Sequence, residues 1–318
     1  ASGLRKMGFA KRPDEIPKRQ AIAAVGQSGL MNAYEEAFGG HGKRVAQILL
    51  TSEDLNSRKR YLNARNTLNT LLEWKVVPII NENDTVMVEE IKLGDNDNLA
   101  AMITLLMDAD FLINLTDIDG LYTKDPRTQP DAKLIPHVDV FKKEIETFAS
   151  HIPGALGRGG MLSKIKAAKK VTAAGVPMII AKGTQPGILL DLFSGKAAGT
   201  YFEPQERKLN RRKCWIAYTL TPKGSLTLDS GAAQALVNRG KSLLPSGIVG
   251  VEGEFGVGAP AAIRNQAGEA LGIGLVNYSA ADIRAIMGLK TSQIKDRLGE
   301  KPYDEVIHRD NLVITECG

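Results

Sequence analysis

The first 200 residues of the chain alternate short apolar runs with segments of helical periodicity. The apolar runs have the length and composition of buried strands and lie at 44–51, 76–81, 110–117 and 176–183. In the other segments apolar residues recur every three or four positions, at 16–38, 53–73, 96–109 and 160–174. Buried strands that alternate with helices predict an α/β domain, with a mostly parallel sheet and helices on both faces. Ligands of such sheets bind beyond the carboxyl ends of the strands, in the loops after Ile80, Leu115 and Ala181.

The pattern changes near residue 205, where the chain becomes rich in lysine and arginine. Five basic residues lie within 207–213, without a helix-capping pattern, and we interpret 205–221 as a basic linker. Beyond it, glycine interrupts a series of short strand-like runs. A chain of 318 residues is long enough for two domains. The sequence therefore predicts an α/β domain at 1–204 and a small β-rich domain at 222–318.

Composition excludes several classes of protein. Apolar residues make up 43% of the chain and charged residues 24%, which is typical of a globular protein. The net charge of +5 and the 5% of aromatic residues do not indicate a dedicated nucleic-acid platform. Cys214 and Cys317 form neither a disulfide framework nor a metal-binding spacing, and fit a reducing cytoplasm. No apolar run reaches the ~18–20 residues of a membrane helix. No catalytic or metal-binding spacing relates the four histidines, His41, His137, His151 and His308.

Two polar loops lie at predicted strand and helix ends. The first, NENDT at 81–85, directly follows a strand, and the second, GDNDN at 94–98, directly precedes a helix. Asp and Asn are also common turn and N-cap residues, so either loop alone has an ordinary structural explanation. Because both loops gather carboxylates and amides at one sheet edge, they favour a site for a small polar ligand with an ammonium group, or for ordering cationic side chains.

Two further motifs point to phosphate chemistry. The glycine-rich segment GALGRGGMLSK at 154–164 opens a helix, whose free N–H groups and dipole favour an anion. Lys164 adds a full positive charge, although neither the P-loop nor the GxGxxG pattern is met. A flexible loop with solvated basic residues is the alternative for this segment alone. The third motif, TDIDGLYTKDPR at 116–127, starts where a buried strand ends.

Together these motifs resemble the amino acid kinase family. TDIDGLYTKDPR is similar to a signature found throughout the family. INENDTV, GDNDNLAA and GRGGMLSK are similar to the motifs of those members that phosphorylate the γ-carboxylate of L-glutamate. The C-terminal part resembles the PUA domain that bacterial members append. The resemblance covers nearly the whole chain, and it implies the amino acid kinase fold followed by a β-rich PUA domain.

The resemblance also implies a reaction and roles for individual residues. ATP, with Mg²⁺, would phosphorylate L-glutamate to γ-glutamyl phosphate, the first step of proline biosynthesis. Glutamate would be bound by the two polar loops, at Asn81, Asn83, Asp84 and Asn96. The nucleotide would be bound by Thr116, Asp117, Arg158, Gly159, Gly160, Met161, Leu162, Ser163 and Lys164. Lys164 would stabilise the transferring phosphoryl group, and Asp97 would hold the catalytic lysines. Arg158 and Ser163 both stand where the family more often has Thr, but much of that contact is made by the backbone.

This chemistry suits a chain without a catalytic histidine. The γ-carboxylate of glutamate, with a pKa of about 4.3, is already ionised at neutral pH and needs no general base. The obstacle is electrostatic, because an anion must attack a polyanion. Lysines, Mg²⁺ and helix N-termini directed at the phosphates are the groups that lower such a barrier.

The resemblance implies partners and leaves alternatives. It implies feedback inhibition by proline at a site overlapping the glutamate site, a downstream γ-glutamyl phosphate reductase, and a homo-oligomer, either dimer or tetramer. We expect a cytoplasmic protein without a membrane segment. The alternatives are another amino acid kinase, such as an N-acetylglutamate kinase, or an RNA-binding protein acting through the PUA domain.

The start of the chain, at Ala1, carries a separate expectation. The resemblance places about 50 further residues before Ala1, with a central strand and a catalytic lysine, so their loss would leave an exposed sheet edge or a gap. We therefore expect the 318-residue chain to be inactive and prone to aggregation.

Overall fold

A computed structural model describes residues 2–9, 11, 13–86, 96–139, 141, 143–150, 160–205 and 210–314. The chain divides into two compact units, residues 1–207 and 208–318. Among the helices of these described ranges, none is long and apolar enough to cross a membrane.

The first unit alternates helices and strands. Its helices are α1 (Ser2–Lys6), α2 (Ile16–Gly39), α3 (Ser52–Asn56), α4 (Arg58–Glu73), α5 (Asn96–Met107), α6 (Lys143–Ser150), α7 (Met161–Ala173) and α8 (Ile188–Phe193). Its strands are β1 (Arg44–Leu50), β2 (Val76–Glu82), β3 (Leu112–Thr116), β4 (His137–Val138), β5 (Met178–Lys182) and β6 (Thr200–Phe202). The four predicted strands are present as β1, β2, β3 and β5. The helix predicted at 53–73 is divided in two, because Ser57 has extended backbone angles (φ −83°, ψ 117°).

The described strands of the first unit form two sheets. β1 and β2 pair in parallel, and a second sheet has the order β3-β5-β6-β4. The pairs β3–β5 and β4–β6 are parallel, and β5–β6 is antiparallel. The described strands are therefore mostly parallel, as the α/β pattern predicted. Helix α5 packs against both β2 and β3 and so contacts both sheets.

The core of the first unit joins α5, α7 and the second sheet. Ala101 of α5 packs with Ile165 and Val171 of α7, and the same cluster includes Ile180 of β5 and Phe202 of β6. All five are nearly inaccessible to solvent. Because α5 and α7 share this core, their positions relative to β3 are set by apolar packing. The same packing positions the polar side chains at the N-termini of α5 and α7.

The second unit is built around one five-stranded sheet. Its helices are α9 (Arg211–Thr219), α10 (Ser230–Arg239), α11 (Ala280–Ile286) and α12 (Ile294–Leu298). Its strands are β7 (Ser225–Leu228), β8 (Ile248–Glu252), β9 (Pro260–Asn265), β10 (Ala270–Leu275) and β11 (Leu312–Ile314). The strand order is β11-β10-β9-β7-β8, with β7 and β9 parallel and the other pairs antiparallel. This is the β-rich architecture predicted for the C-terminal part.

The predicted linker at 205–221 contains a helix instead. Helix α9 starts after Asn210, whose side chain accepts a hydrogen bond from the Lys213 N–H at 2.9 Å. Trp215 and Ile216 are buried, and α9 packs against β10 and β11. The sequence prediction failed because basic residues fill the first turn and conceal the short apolar face that follows.

Candidate functional site

An ion pair links the N-terminal turns of α5 and α7. Asp97 is the second residue of α5, and Lys164 is the fourth residue of α7. The Lys164 Nζ lies 3.0 Å from Oδ2 and 3.2 Å from Oδ1 of Asp97. Their side chains are only 13% and 12% exposed, so the pair is shielded from water. The structure thus brings together the two residues to which the sequence assigned catalytic roles.

Two neutral side chains complete the surroundings of the Asp97 carboxylate. The Ser163 hydroxyl oxygen lies 2.5 Å from Oδ2, and also 2.8 Å from the carbonyl oxygen of Gly160. The Asn114 Nδ2 donates to Oδ1 at 2.7 Å, from the middle of β3. Sequence reasoning missed Asn114. The available signal was a single amide within the otherwise apolar strand LINL.

The N-terminus of α7 is suited to bind an anion. Gly160 is its N-cap, and no side chain caps the first turn. The first N–H groups of a helix have no partner within the helix, and the dipole adds positive potential there. Met161 anchors this turn in the core, with 3% of its surface exposed. Of the predicted nucleotide loop, residues 160–164 are described, whereas Arg158 and Gly159 lie outside the described residues.

Thr116 and Asp117 lie at the carboxyl end of β3. The Thr116 hydroxyl donates to Oδ1 of Asp117 at 3.0 Å, and the Thr116 carbonyl accepts from the Gly183 N–H at 2.8 Å. Thr116 pairs with Lys182 in the register of β3 and β5. Both predicted nucleotide residues are therefore at the sheet edge where ligands of parallel sheets bind.

The rest of the TDIDGLYTKDPR motif is occupied by structural contacts. Lys182 lies 3.3 Å from Oδ1 of Asp119, and the Tyr122 hydroxyl donates to Oδ2 at 3.0 Å. The pKa of Tyr122 is raised, mainly by burial of its side chain and to a smaller extent by this hydrogen bond. At Gly120 a Cβ would stand 2.5 Å from the Thr200 hydroxyl oxygen, so the fold requires glycine there.

The KDPR end of the motif forms a fork between Arg127 and Asp125, whose side chains are 38% and 11% exposed. The Arg127 Nε and Nη2 donate to the two Asp125 oxygens at 2.9 and 3.0 Å. The hydrogen bonds from Arg127 hold the pKa of Asp125 below its ordinary value. The Asp125 carbonyl also accepts from the Gln129 N–H at 2.9 Å. This fork stabilises the turn predicted at Asp125–Pro126.

The predicted glutamate loop overlaps the end of β2, whose last two residues are Asn81 and Glu82. The Asn81 side chain accepts from the Glu82 N–H at 2.9 Å, and the Asn83 N–H donates to the Leu50 carbonyl at 2.9 Å. The Thr85 hydroxyl donates to the Asn83 side chain at 2.5 Å. These contacts tie the loop to the end of β1. Residues 87–95 lie outside the described residues, so the chain between this loop and Asn96, the first residue of α5, is not included.

Two of the described histidines, His137 and His308, make contacts of a structural kind. His137 Nε2 lies 3.1 Å from the Glu203 carboxylate, and His308 caps a short 3₁₀ turn. His151 lies outside the described residues. In the described ranges no group of three or more His, Cys, Asp or Glu side chains is arranged to hold a metal ion.

Comparisons with known proteins match both units. A model of the amino acid kinase family matches residues 2–182, and a model of the PUA domain matches residues 224–298. A glutamate 5-kinase of Syntrophus aciditrophicus is 54% identical over 314 residues, which is 99% of this chain and 82% of that protein. A glutamate 5-kinase of Geobacter metallireducens is 52% identical, over 99% of this chain and 84% of that protein.

Solved structures also align with part of the chain. An isopentenyl phosphate kinase aligns at 18% identity and a TM-score of 0.43, covering 60% of this chain and 74% of that chain. The UMP kinase of Ureaplasma parvum aligns at 13% identity and a TM-score of 0.42, covering 63% and 75%.

Proposed function

Because the chain belongs to the amino acid kinase family, and within it to the glutamate 5-kinases, we propose that it transfers the γ-phosphoryl group of ATP to the γ-carboxylate of L-glutamate. The observation that carries the proposal is the shielded Lys164–Asp97 pair at the uncapped N-terminus of α7. The products are ADP and γ-glutamyl phosphate, and the reaction is the first step of proline biosynthesis.

The reaction needs charge stabilisation rather than proton transfer. One oxygen of the γ-carboxylate forms a bond to the γ-phosphorus, and the bond between that phosphorus and the bridging oxygen breaks. The electron pair leaves with ADP, and no proton moves, since the carboxylate is already ionised at neutral pH. Negative charge accumulates on the phosphoryl oxygens during this transfer. Lys164 and the N–H groups of α7 are positioned to offset it.

Asp97 acts in this proposal on Lys164 rather than on the substrate. Its carboxylate fixes the ammonium at 3.0 Å, from the neighbouring helix, in a nearly buried position. A free lysine side chain would lose rotamer freedom on reaching the transition state, and the pairing removes part of that cost beforehand. The carboxylate is itself neutralised by the pairing, so it does not repel the phosphates.

Two groups of residues would bind the nucleotide, one at the N-terminus of α7 and one at the end of β3. We propose that the phosphates bind at the turn formed by Gly160, Met161, Leu162 and Ser163, together with Arg158, Gly159 and Lys164. Thr116 and Asp117 would contact the nucleotide from the end of β3. Mg²⁺ would enter with ATP, because this ion takes several ligands from phosphates and water and few from protein. When bound, it neutralises part of the phosphate charge.

Glutamate would be held by Asp84 and Asn96, with Asn81 and Asn83 shaping the loop. We propose that proline inhibits by binding at an overlapping site. Asp84→Asn should therefore weaken the binding of glutamate and of proline, because both ligands carry a positively charged nitrogen. Calorimetric titration of the variant with each ligand tests this assignment. Unchanged affinity for both would show that the loop is not the binding site.

The cellular setting is part of the same proposal. We place the enzyme in the cytoplasm, as a homo-oligomer that passes its acyl phosphate to a γ-glutamyl phosphate reductase. The buried free thiol of Cys214 is compatible with a reducing compartment. RNA binding by the C-terminal unit would be a separate activity, recognisable by a steep dependence on salt.

The test is formation of ADP in the presence of hydroxylamine, which traps an acyl phosphate as a hydroxamate. Glutamate, aspartate and N-acetylglutamate are compared at equal concentrations. The 318-residue chain and the product of the complete reading frame are both assayed, since the chain spans 82% of its Syntrophus relative. Hydroxamate from glutamate alone supports the proposal. Hydroxamate from N-acetylglutamate instead would identify another acid kinase, and none from any acid would remove the proposed activity.

A further inference from the structure

The Asp97 carboxylate is surrounded on both oxygens. Oδ1 has Asn114 Nδ2 at 2.7 Å and Lys164 Nζ at 3.2 Å. Oδ2 has the Ser163 hydroxyl at 2.5 Å and Lys164 Nζ at 3.0 Å. An ionised carboxylate accepts about four hydrogen bonds, two on each oxygen. The four contacts, made by Asn114, Ser163 and Lys164, therefore fill its capacity and fix its rotation about the Cβ–Cγ bond.

Asn114 differs from the other members of this cluster because it belongs to the sheet. It is the middle residue of β3, partly buried, and it pairs in register with Ile180, which is fully buried. An amide in such a position costs free energy unless it is hydrogen-bonded. The carboxylate can only accept, so the nitrogen of the amide must face it. The contact with Asp97 thus accounts for an amide in an apolar strand.

The position of Asn114 also relates the ion pair to the predicted nucleotide residues. Side chains two apart on a strand lie on the same face, so Asn114 and Thr116 share one face of β3. Asn114 therefore fixes the ion pair to the strand that ends at Thr116 and Asp117. A neutral amide does this without changing the charge of the Asp97–Lys164 pair.

We propose that Asn114 is a positioning residue for phosphoryl transfer, which acts by holding the Asp97 carboxylate so that Lys164 stays directed at the phosphates. The inference rests on the proposed function. Without the amide, Oδ1 keeps only the longer of the two contacts with Lys164, and the rotation of the carboxylate is less restricted. The ammonium then samples several positions, and the loss falls on the chemical step rather than on substrate binding.

Two substitutions separate positioning from general stability. Asn114→Leu removes the amide at similar volume, and kcat should fall about 10- to 100-fold, the value of one hydrogen bond to a charged group. KM for ATP and for glutamate should stay within about threefold, since neither ligand contacts the amide in this proposal. Asn114→Asp keeps the shape but places a second carboxylate against Asp97.

The Asn114→Asp variant supplies a pH signature. When protonated, the introduced carboxyl can donate to Asp97 as the amide does, and when ionised it repels it. The activity of this variant, relative to wild type, should therefore recover as pH is lowered from 8 to 5.5. A residue needed only for packing would give no such recovery. Asn265→Leu is the control, because it removes an amide-to-carboxylate hydrogen bond, 2.6 Å to Glu269, in the second unit.

All proteins are made from the complete reading frame, and wild-type hydroxamate formation is measured first. Wild-type values of kcat in Asn114→Leu, or a wild-type pH profile in Asn114→Asp, would overturn the inference. A wild type that is inactive with glutamate would count against the proposed function. In that case the contact between Asn114 and Asp97 is tested by thermal melts of Asn114→Asp. The difference between the Tm of wild type and of this variant must shrink as pH is lowered from 8 to 5.5. A constant difference in Tm would overturn the inference as well.

Discussion

Replacing Lys164 with Met removes the ammonium group and keeps most of the aliphatic stem. Asp97 then remains in a site where its side chain is 12% exposed, with Ser163 and Asn114 as its neutral donors. Breaking a buried ion pair by deleting one partner costs about 3–5 kcal/mol. Because two hydrogen bonds to the carboxylate remain, we expect a smaller loss of about 1–3 kcal/mol in the free energy of unfolding.

The effect on catalysis should exceed the effect on stability. Removing one preorganised donor from a developing oxyanion costs about 10²–10³-fold in kcat, or about 3–4 kcal/mol. Lys164 carries a full charge in a shielded position, so we expect Lys164→Met to lie near 10³-fold. The KM for glutamate should change little, because Lys164 is not among the residues proposed to bind glutamate, which lie at 81–84 and at Asn96.

Initial rates of hydroxamate formation give kcat and KM, and urea denaturation gives the free energy of unfolding. Lys166→Met is the matched control, because Lys166 is exposed on the same helix two residues further on. We expect its kcat within about twofold of wild type and its stability within about 0.5 kcal/mol. A Lys164→Met enzyme within tenfold of the wild-type kcat, or an equal loss in the control, would refute the reasoning.

Two further predictions concern the TDIDGLYTKDPR motif. Asp125→Asn should lower Tm at pH 7, and the difference in Tm from wild type should shrink as pH falls below about 4. The reason is that Arg127 holds the pKa of Asp125 below its unfolded value, and that stabilisation is lost in acid. Thermal melts from pH 3 to 7 check this, and a constant difference in Tm would contradict it. Gly120→Ala should cost about 1–3 kcal/mol, because the new Cβ meets the Thr200 hydroxyl at 2.5 Å. Gly39→Ala, where nothing lies within 4 Å, should be neutral, and equal losses in the two variants would count against the packing argument.

Much of the secondary structure of the first unit was predictable, because each helix or strand shows its pattern within its own stretch of sequence. Helix α2 was predicted at 16–38 and observed at Ile16–Gly39, and β2 was predicted at 76–81 and observed at Val76–Glu82. A helix such as α2 shows apolar residues at helical spacing, and a buried strand such as β2 shows a continuous apolar run, so one segment reveals each by itself. Helix α9 was missed, since its apolar face is short and follows a basic first turn.

The candidate site was predictable only in part. Lys164 and Asp97 were found through motifs that each lie in a short stretch of chain. Asn114 was not, because its significance is a contact across 17 residues of sequence with Asp97. The pairing of the strands within each sheet was not predicted, for a similar reason. Strand pairing depends on which distant segments meet, and an apolar run does not specify its neighbour.

The central claim is that a glutamate carboxylate oxygen attacks the γ-phosphorus of ATP. We would supply glutamate with ¹⁸O in both γ-carboxylate oxygens, add ATP and hydroxylamine, and weigh the inorganic phosphate released by mass spectrometry. Hydroxylamine attacks the acyl carbon, so the bridging oxygen stays with phosphorus. We expect one ¹⁸O atom in each phosphate released with the hydroxamate. Unlabelled phosphate accompanying ADP would mean that water attacks ATP instead, and would exclude the proposed reaction.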